Sequence, residues 1–363
     1  MLCIFAFVIF LILFPILGFF PEYRALFKKS WICVYKKATF KPCDINLGEE
    51  LKNKFLGKTI FKYPKFARFM DKTFSFWAFL FIVVNIWSLS SVLLSGLNLW
   101  VYDTCDPVSS EGCSLSGEAC GVGTAQLDFA TAAQENKLGD WAIQPFKTFG
   151  DTVSRIPDRV KIWKAEDYLS PNPTYYKPFD PTKQTAVEFI DPGCKYCKKL
   201  FSNIKEAGFQ DKYNLSYVVY PIPDKTTSTG LKFQASTTIA SYMEATKQVK
   251  LENNPTNIPP DWQLLETIFT TEDAQNGDLQ NQFNSVFSKK DIPGEIEKIL
   301  TKIGYNDDEI SKIREIANSE QTKENLAIQK DIVENRLRTI KIPTIVFAGR
   351  RYDRVVDVET LRK

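Results

Sequence analysis

Two runs of the chain contain no charged side chain: MLCIFAFVIFLILFPILGFF at residues 1–20 and FSFWAFLFIVVNIWSLSSVLLSGLNLWV at residues 74–101. As helices, both are long enough to cross a hydrocarbon core of about 30 Å. Trp77, Trp100 and Tyr102 sit near the ends of the second run, where interface anchors belong. Between the runs, residues 21–72 carry thirteen Lys or Arg against five Asp or Glu. The pattern predicts a two-helix transmembrane hairpin, residues 1–20 and 73–101, around a basic cytoplasmic loop, residues 21–72. The placement is multi-pass in a cell membrane, with a lipid bilayer as partner and everything after about residue 102 extracytoplasmic. Two buried core helices are the alternative. Within the loop, GEELKNKFLGKTIFKYPKFARFMDK reads as an amphipathic helix on anionic headgroups, with Phe55, Ile60 and Phe61 among lysines, or as a plain basic linker.

Residues 102–185 form a linker on this reading. Its start, DTCDPVSSEGCSLSGEACGVG, is small and polar; TAQLDFATAAQENKL is a possible helix; Pro171, Pro173, Pro178 and Pro181 exclude long regular elements further on. A domain follows over residues 186–363. AVEFI is a buried-type strand, Asp191-Pro192-Gly193 turns the chain, and Cys194 opens a helix to about Ala207. SYVVYPI is a second strand. Residues 223–341 are mostly helical, with Pro260 and Pro293 at first-turn positions. TIKIPTIVFAG gives a third strand with Gly349-Arg350 as its turn, YDRVVDV a fourth, and ETLRK the stub of a last helix.

Composition removes several chemistries. The chain has no histidine, which excludes Ser-His-Asp and Cys-His nucleophilic sites and every zinc site that needs imidazole. A formal charge of +3 in 363 residues gives no reason to expect nucleic acid. Cys33 and Cys43, in the basic loop, are expected as thiols. Cys105, Cys113 and Cys120 are expected to form a structural disulfide, Cys105–Cys113 or Cys113–Cys120, with one cysteine left for Cys3 or another chain. A relay of electrons toward the CxxC is the alternative for these three.

The remaining pair is Cys194 and Cys197, in DPGCKYCKKL. Strand, CxxC at a helix start, strand, long helical stretch and proline-led strand together suit a thiol–disulfide switch. A helix N-terminus presents unpaired N–H groups and a positive dipole end, and both favour a thiolate at Cys194. Lys195, Lys198 and Lys199 add positive charge. Cys197, one turn on and more buried, would resolve the mixed disulfide. Zinc wants four ligands and finds two, so no metal is expected. A permanent disulfide between adjacent turns would constrain little chain. Glu188, inside AVEFI, is costly to bury and would exchange a proton with Cys197, or else it points to water from a partly wet strand. Pro343 implies an edge, a bulge or a cis bond; in cis it would turn the Ile342 backbone toward Cys194 to hold an extended chain.

FIDPGCKYCKKL resembles the active-site segment of periplasmic Dsb-type members of the thioredoxin superfamily, and IPTIVFAGR, at Pro343, Thr344, Gly349 and Arg350, resembles their proline motif. The resemblance covers residues 185–363. It implies an α/β thioredoxin-like fold with a large helical insertion. Cys194 would be nucleophile, Cys197 resolving, Pro343 cis and Glu188 the family's acidic position, with Tyr196, Ile342 and Thr344 toward substrate and no cofactor. Ile342 departs from the usual Thr or Val. The implied function is a membrane-anchored oxidoreductase that forms or reshuffles disulfides in exported proteins, with cysteine-bearing substrates and a membrane redox partner. A reductase of the same fold, or a peptide-binding chaperone or assembly factor, is the alternative.

Overall fold

The computed structural model describes residues 64–102, 118–122, 129–224, 227–252, 254–273 and 277–363. Met1–Leu97 and Asn98–Lys363 are separate compact units. Helix α1, Pro64–Tyr102, runs from the first into the second and joins the end of the basic segment to the second uncharged run, where a boundary at residue 72 was expected. Among the described residues no helix is long and apolar enough to cross a membrane. This corrects the transmembrane hairpin, and with it the membrane anchoring, the bilayer partner and the multi-pass placement. Uncharged is not the same as apolar: from Asn85 to Asn98, six of fourteen residues are Asn or Ser. Each such group loses hydration in hydrocarbon. Residues 1–20, most of the basic loop, and Cys3, Cys33, Cys43, Cys105 and Cys113 lie outside the described residues.

In the second unit, β1 (Cys120–Gly121) precedes three helices: α2 (Phe129–Gln134), α3 (Leu138–Ser154) and α4 (Ile156–Val160). Of the expected helix at residues 124–138, Phe129–Gln134 is helical and residues 124–128 lie outside the described residues; α3 was not foreseen because Pro145 and Gly150 fall inside it. The Pro-studded stretch has no long element, as expected. It is not a spacer, however: Trp163, Ala165, Tyr168 and Tyr176 are buried in the same core as the strands.

That core is built on a four-stranded sheet of order β3–β2–β7–β8. β2 (Thr185–Ile190) and β3 (Asn214–Val219) are parallel, in register from Thr185 opposite Asn214 to Ile190 opposite Val219. The crossover between them is α5 (Lys195–Ala207), ended by Gly208 at φ 64°, a left-handed position that glycine takes without steric cost. α5 buries Cys197, Leu200, Phe201 and Ile204 on one face, each apolar side chain contributing roughly 1.5–3 kcal/mol. β7 (Thr344–Phe347) returns antiparallel to β2, and β8 (Arg350–Tyr352) antiparallel to β7. Their turn is Ala348-Gly349, both at positive φ, one residue earlier than expected. Of the expected fourth strand, YDRVVDV, only Tyr352 is strand, because β8 starts earlier, at Arg350. The terminal helix α12 (Val358–Arg362) is capped by Asp357 and packs on α5 through buried Leu361.

Between β3 and β7 lies the helical insertion: α6 (Ser236–Thr246), α7 (Pro260–Thr270), the short ribbon β4 (Glu272–Asp273) and β5 (Gly277–Asp278), α8 (Leu279–Asn281), α9 (Ile292–Ile303), α10 (Asp307–Ala317) and α11 (Glu320–Asp331). A π turn at Ile332–Leu337 then leads to β6 (Lys341–Ile342). Pro260 and Pro293 do occupy first-turn positions. Trp262 ties the insertion to the sheet and α5, with its ring 4.7 Å from Tyr217 and 6.4 Å from Phe201. Val219 at the sheet edge donates its N–H to the Gln329 side chain, which donates to Glu244. The insertion therefore covers the edge strand that a bare sheet would leave unpaired. The arrangement is thioredoxin-like and mixed α/β, with the cysteine pair where β2 passes into α5.

Candidate redox site at the start of α5

Cys194 is the N-cap of α5, with extended backbone at φ −82° and ψ 117°. Its carbonyl accepts the first helical bonds, from Cys197 N–H at 2.9 Å and Lys198 N–H at 3.2 Å. The turn before it is tightly held. Asp191 accepts from Gly193 N–H at 2.7 Å and Ile222 N–H at 2.7 Å, and from the Ser236 hydroxyl. The Pro192 carbonyl accepts from Gln280 at 2.7 Å and that of Gly193 from Asn284 at 2.8 Å. Gly193 is required for space: a Cβ there would lie 2.4 Å from the Phe233 Cβ. The insertion thus clamps the turn that aims Cys194.

Ile342–Pro343 is a cis peptide bond, so the expected edge, bulge or cis position resolves to cis. The Ile342 carbonyl oxygen lies 3.7 Å from the Cys194 sulfur. Thr344, expected at the substrate, is instead buried, with its hydroxyl shared among the Lys341 carbonyl at 2.7 Å, Asp353 at 2.8 Å and Thr339 at 2.9 Å. It fixes the proline loop from behind. Tyr196 is half-buried against the core, with the Lys195 ammonium 5.0 Å from its ring centre. Lys198 pairs with Asp278 at 3.2 Å and Lys199 with Glu118, so two of the three lysines are engaged.

Cys194 is in a disulfide, and its partner is Cys120, 74 residues earlier. This corrects the expected Cys113–Cys120 bond. A seven-residue loop looks the simplest closure in sequence, but β1 pairs antiparallel with β6, with Cys120 opposite Ile342 and bonded to Cys194. Cys197 is a buried thiol. Burial pushes it well above its ordinary range; the Asp191 N–H, 3.4 Å from its sulfur, opposes that, and the charges of Glu188 and Asp191 add to it. Glu188 is 1% exposed, and neither carboxylate oxygen has a hydrogen-bond partner among the described residues. That burial rules out the partly wet strand, and it pushes the carboxyl up to about 8. Asp191, read in the sequence only as a turn residue, is buried too and pushed up to about 6 by burial, against the pull of its three hydrogen bonds. The one sign of it in sequence was its place between a buried strand and Pro-Gly-Cys. Among Cys105, Cys113 and Cys120, nothing in the spacing singled out Cys120 as the partner of Cys194.

No protein-family model and no curated protein matches the chain. Among solved structures it is similar to a thioredoxin-like oxidoreductase from Silicibacter pomeroyi, at 15% identity and a TM-score of 0.37, over 53% of this chain and 89% of that one. It is also similar to the thiol-disulfide exchange protein α-DsbA2 of Wolbachia pipientis, at 16% identity and a TM-score of 0.38, over 56% and 91% of the two chains. A third is ScsC of Proteus mirabilis in a compact conformation, at 16% identity and a TM-score of 0.33, over 63% and 96%. What the site itself presents is a helix-capping cysteine in a disulfide, with a buried thiol three residues on, where β2 passes into α5.

Proposed function

We propose that this chain is a thiol–disulfide oxidoreductase that exchanges disulfides with cysteine-containing proteins through Cys194 and Cys197. The observation that carries the reading is Cys194 at the N-terminus of α5, bonded to a cysteine from outside the CxxC while Cys197 remains a thiol behind it. Cys194 is the attacking and leaving sulfur, because the helix start supplies N–H groups and a positive dipole end to its thiolate. The Ile342 carbonyl and the β6 edge hold the incoming chain in extended form. Cys197 then attacks Cys194 and frees the bound cysteine as a thiol.

The last step needs the Cys197 proton moved, in a site that burial keeps dry. The Asp191 N–H stabilises the thiolate as it forms. Glu188 is the group to take and return the proton, since its carboxyl, held near 8, changes charge close to neutral pH and has no other partner among the described residues. The test is trapping. In a Cys120→Ser background, which leaves Cys194 free of its own chain, Cys197→Ala should accumulate substrates as mixed disulfides on Cys194 and Cys194→Ala should accumulate none, read by non-reducing mass spectrometry. Equal trapping by both variants would remove the assigned roles.

A further inference from the structure

Residues 118–122, Glu-Ala-Cys-Gly-Val, lie in the place that an external chain would need. Cys120 faces Ile342 and Gly121 faces Lys341 across an antiparallel pair, and Val122 N–H donates to the Ile340 carbonyl at 2.8 Å. On the other side, the Val355 N–H donates to the Glu118 carbonyl at 3.0 Å, and the Glu118 carboxylate meets Lys199 of α5. Val122 packs on the core, and Cys120 is 5% exposed. The segment is held by main-chain bonds at both ends, an ion pair and a covalent bond to the reacting sulfur. This is strand addition performed by the protein on itself.

We infer that Cys120 is a third exchange cysteine and that residues 118–122 are a resident substrate strand. The inference rests on the exchange chemistry proposed above. The Cys197 thiolate attacks the Cys194 sulfur; the Cys120–Cys194 bond breaks as the Cys194–Cys197 bond forms; Cys120 leaves as a thiolate and takes up the proton that Cys197 lost. No electrons leave or enter: one disulfide moves among three cysteines. The strand can then lift from β6, and an external cysteine takes its seat. The seat also defines a substrate class: extended chain, a small residue before the cysteine, and an acidic side chain two positions before it to meet Lys199.

The test maps disulfides in the purified full chain, equilibrated in glutathione redox buffers, acid-quenched, alkylated and digested. The wild type should hold both Cys120–Cys194 and Cys194–Cys197, Cys197→Ser only Cys120–Cys194, and Cys120→Ser only Cys194–Cys197. With the seat open, Cys120→Ser should exchange with glutathione several-fold faster than the wild type. Cys120 found free at every potential would overturn the resident strand and leave the proposed function standing. Cys120–Cys194 as the sole wild-type bond, with Cys120→Ser still exchanging, would make it a fixed staple and overturn the relay alone. A Cys194–Cys197 pair that never exchanges in Cys120→Ser would overturn the function itself. A second measurement uses the blocked peptide Glu-Ala-Cys-Gly-Val as a probe of Cys120→Ser/Cys197→Ser. It should form the mixed disulfide about two- to fivefold more readily than its Lys-Ala-Cys-Gly-Val counterpart, the range of an exposed ion pair. Equal capture would remove the acidic preference.

Discussion

Replacing Glu188 by Gln tests the dry interior of the site through stability alone. The carboxyl is 1% exposed, in β2 opposite Tyr217 and Ile345, and burial holds it near 8 against an ordinary value of 4.5. Its folded-state value is raised, so the folded protein keeps a proton that the unfolded chain has lost. The unfolded state binds fewer protons between those two values, and stability must fall as pH rises through that window. From pH 5 to pH 7 the loss is about 2–3 kcal/mol at about 1.4 kcal/mol per pH unit, because the unfolded carboxyl is already partly ionised at pH 5. Below pH 4 the contribution vanishes, and above pH 9 it levels off. Glu188→Gln cannot titrate, so the difference between wild type and variant isolates the group. The assay is urea denaturation of both proteins, oxidised, at pH 5, 6, 7 and 8. The variant should gain on the wild type by about 2–3 kcal/mol between pH 5 and 7. A difference that stays flat with pH would refute the reasoning, since it would mean that the carboxyl is hydrated or paired.

Two further outcomes concern how the site is held. Gly193→Ala should destabilise by about 1–3 kcal/mol as an overpacked position, since its new Cβ would press on Phe233 and the Asn284 side chain; thermal melts measure the loss. Thr344→Val should cost about 0.5–1.5 kcal/mol by removing the Thr344 hydroxyl from Asp353 and the Lys341 carbonyl, both of which keep the Thr339 hydroxyl, and should slow thiol exchange through the loosened Pro343 loop; unchanged exchange kinetics would separate that loop from the chemistry.

Much of the domain was legible in the chain alone. AVEFI, the CxxC at a helix start and the proline-led strand are local signals: alternating or continuous apolar residues, a turn, and a residue that cannot donate to a ladder. These predicted β2, α5 and a strand led by Pro343, and with them Cys194 at the helix start and a more buried Cys197; the approach of Ile342 was expected only for a cis Pro343, which the structure supplies. Glu188 was noticed because a charged residue inside an apolar strand is costly wherever the strand goes. Composition settled as much by exclusion, since a chain without histidine has no imidazole chemistry.

Other features depended on which distant segments meet. The absence of charge in residues 74–101 was read as membrane-spanning, although charge and apolarity are different quantities and the Asn and Ser residues of α1 separate them. Thr344 looked like a substrate contact and became the pin of its own loop once Asp353 and Thr339 were folded against it. Asp191 looked like a turn and became a buried acceptor because α6 and the chain after β3 bring Ser236 and Ile222 to it. The pairing of Cys120 with Cys194 is the clearest case. Local spacing favours a short loop, but a disulfide forms where two sulfurs are brought together, and that was decided by the β1–β6 ladder and by Glu118 against Lys199, contacts that span 81 residues of chain or more. The sequence determined the reactive group and its local electrostatics; only the tertiary structure decided what occupies the seat beside it, because that depends on strand pairing between segments with no periodic relation in the chain.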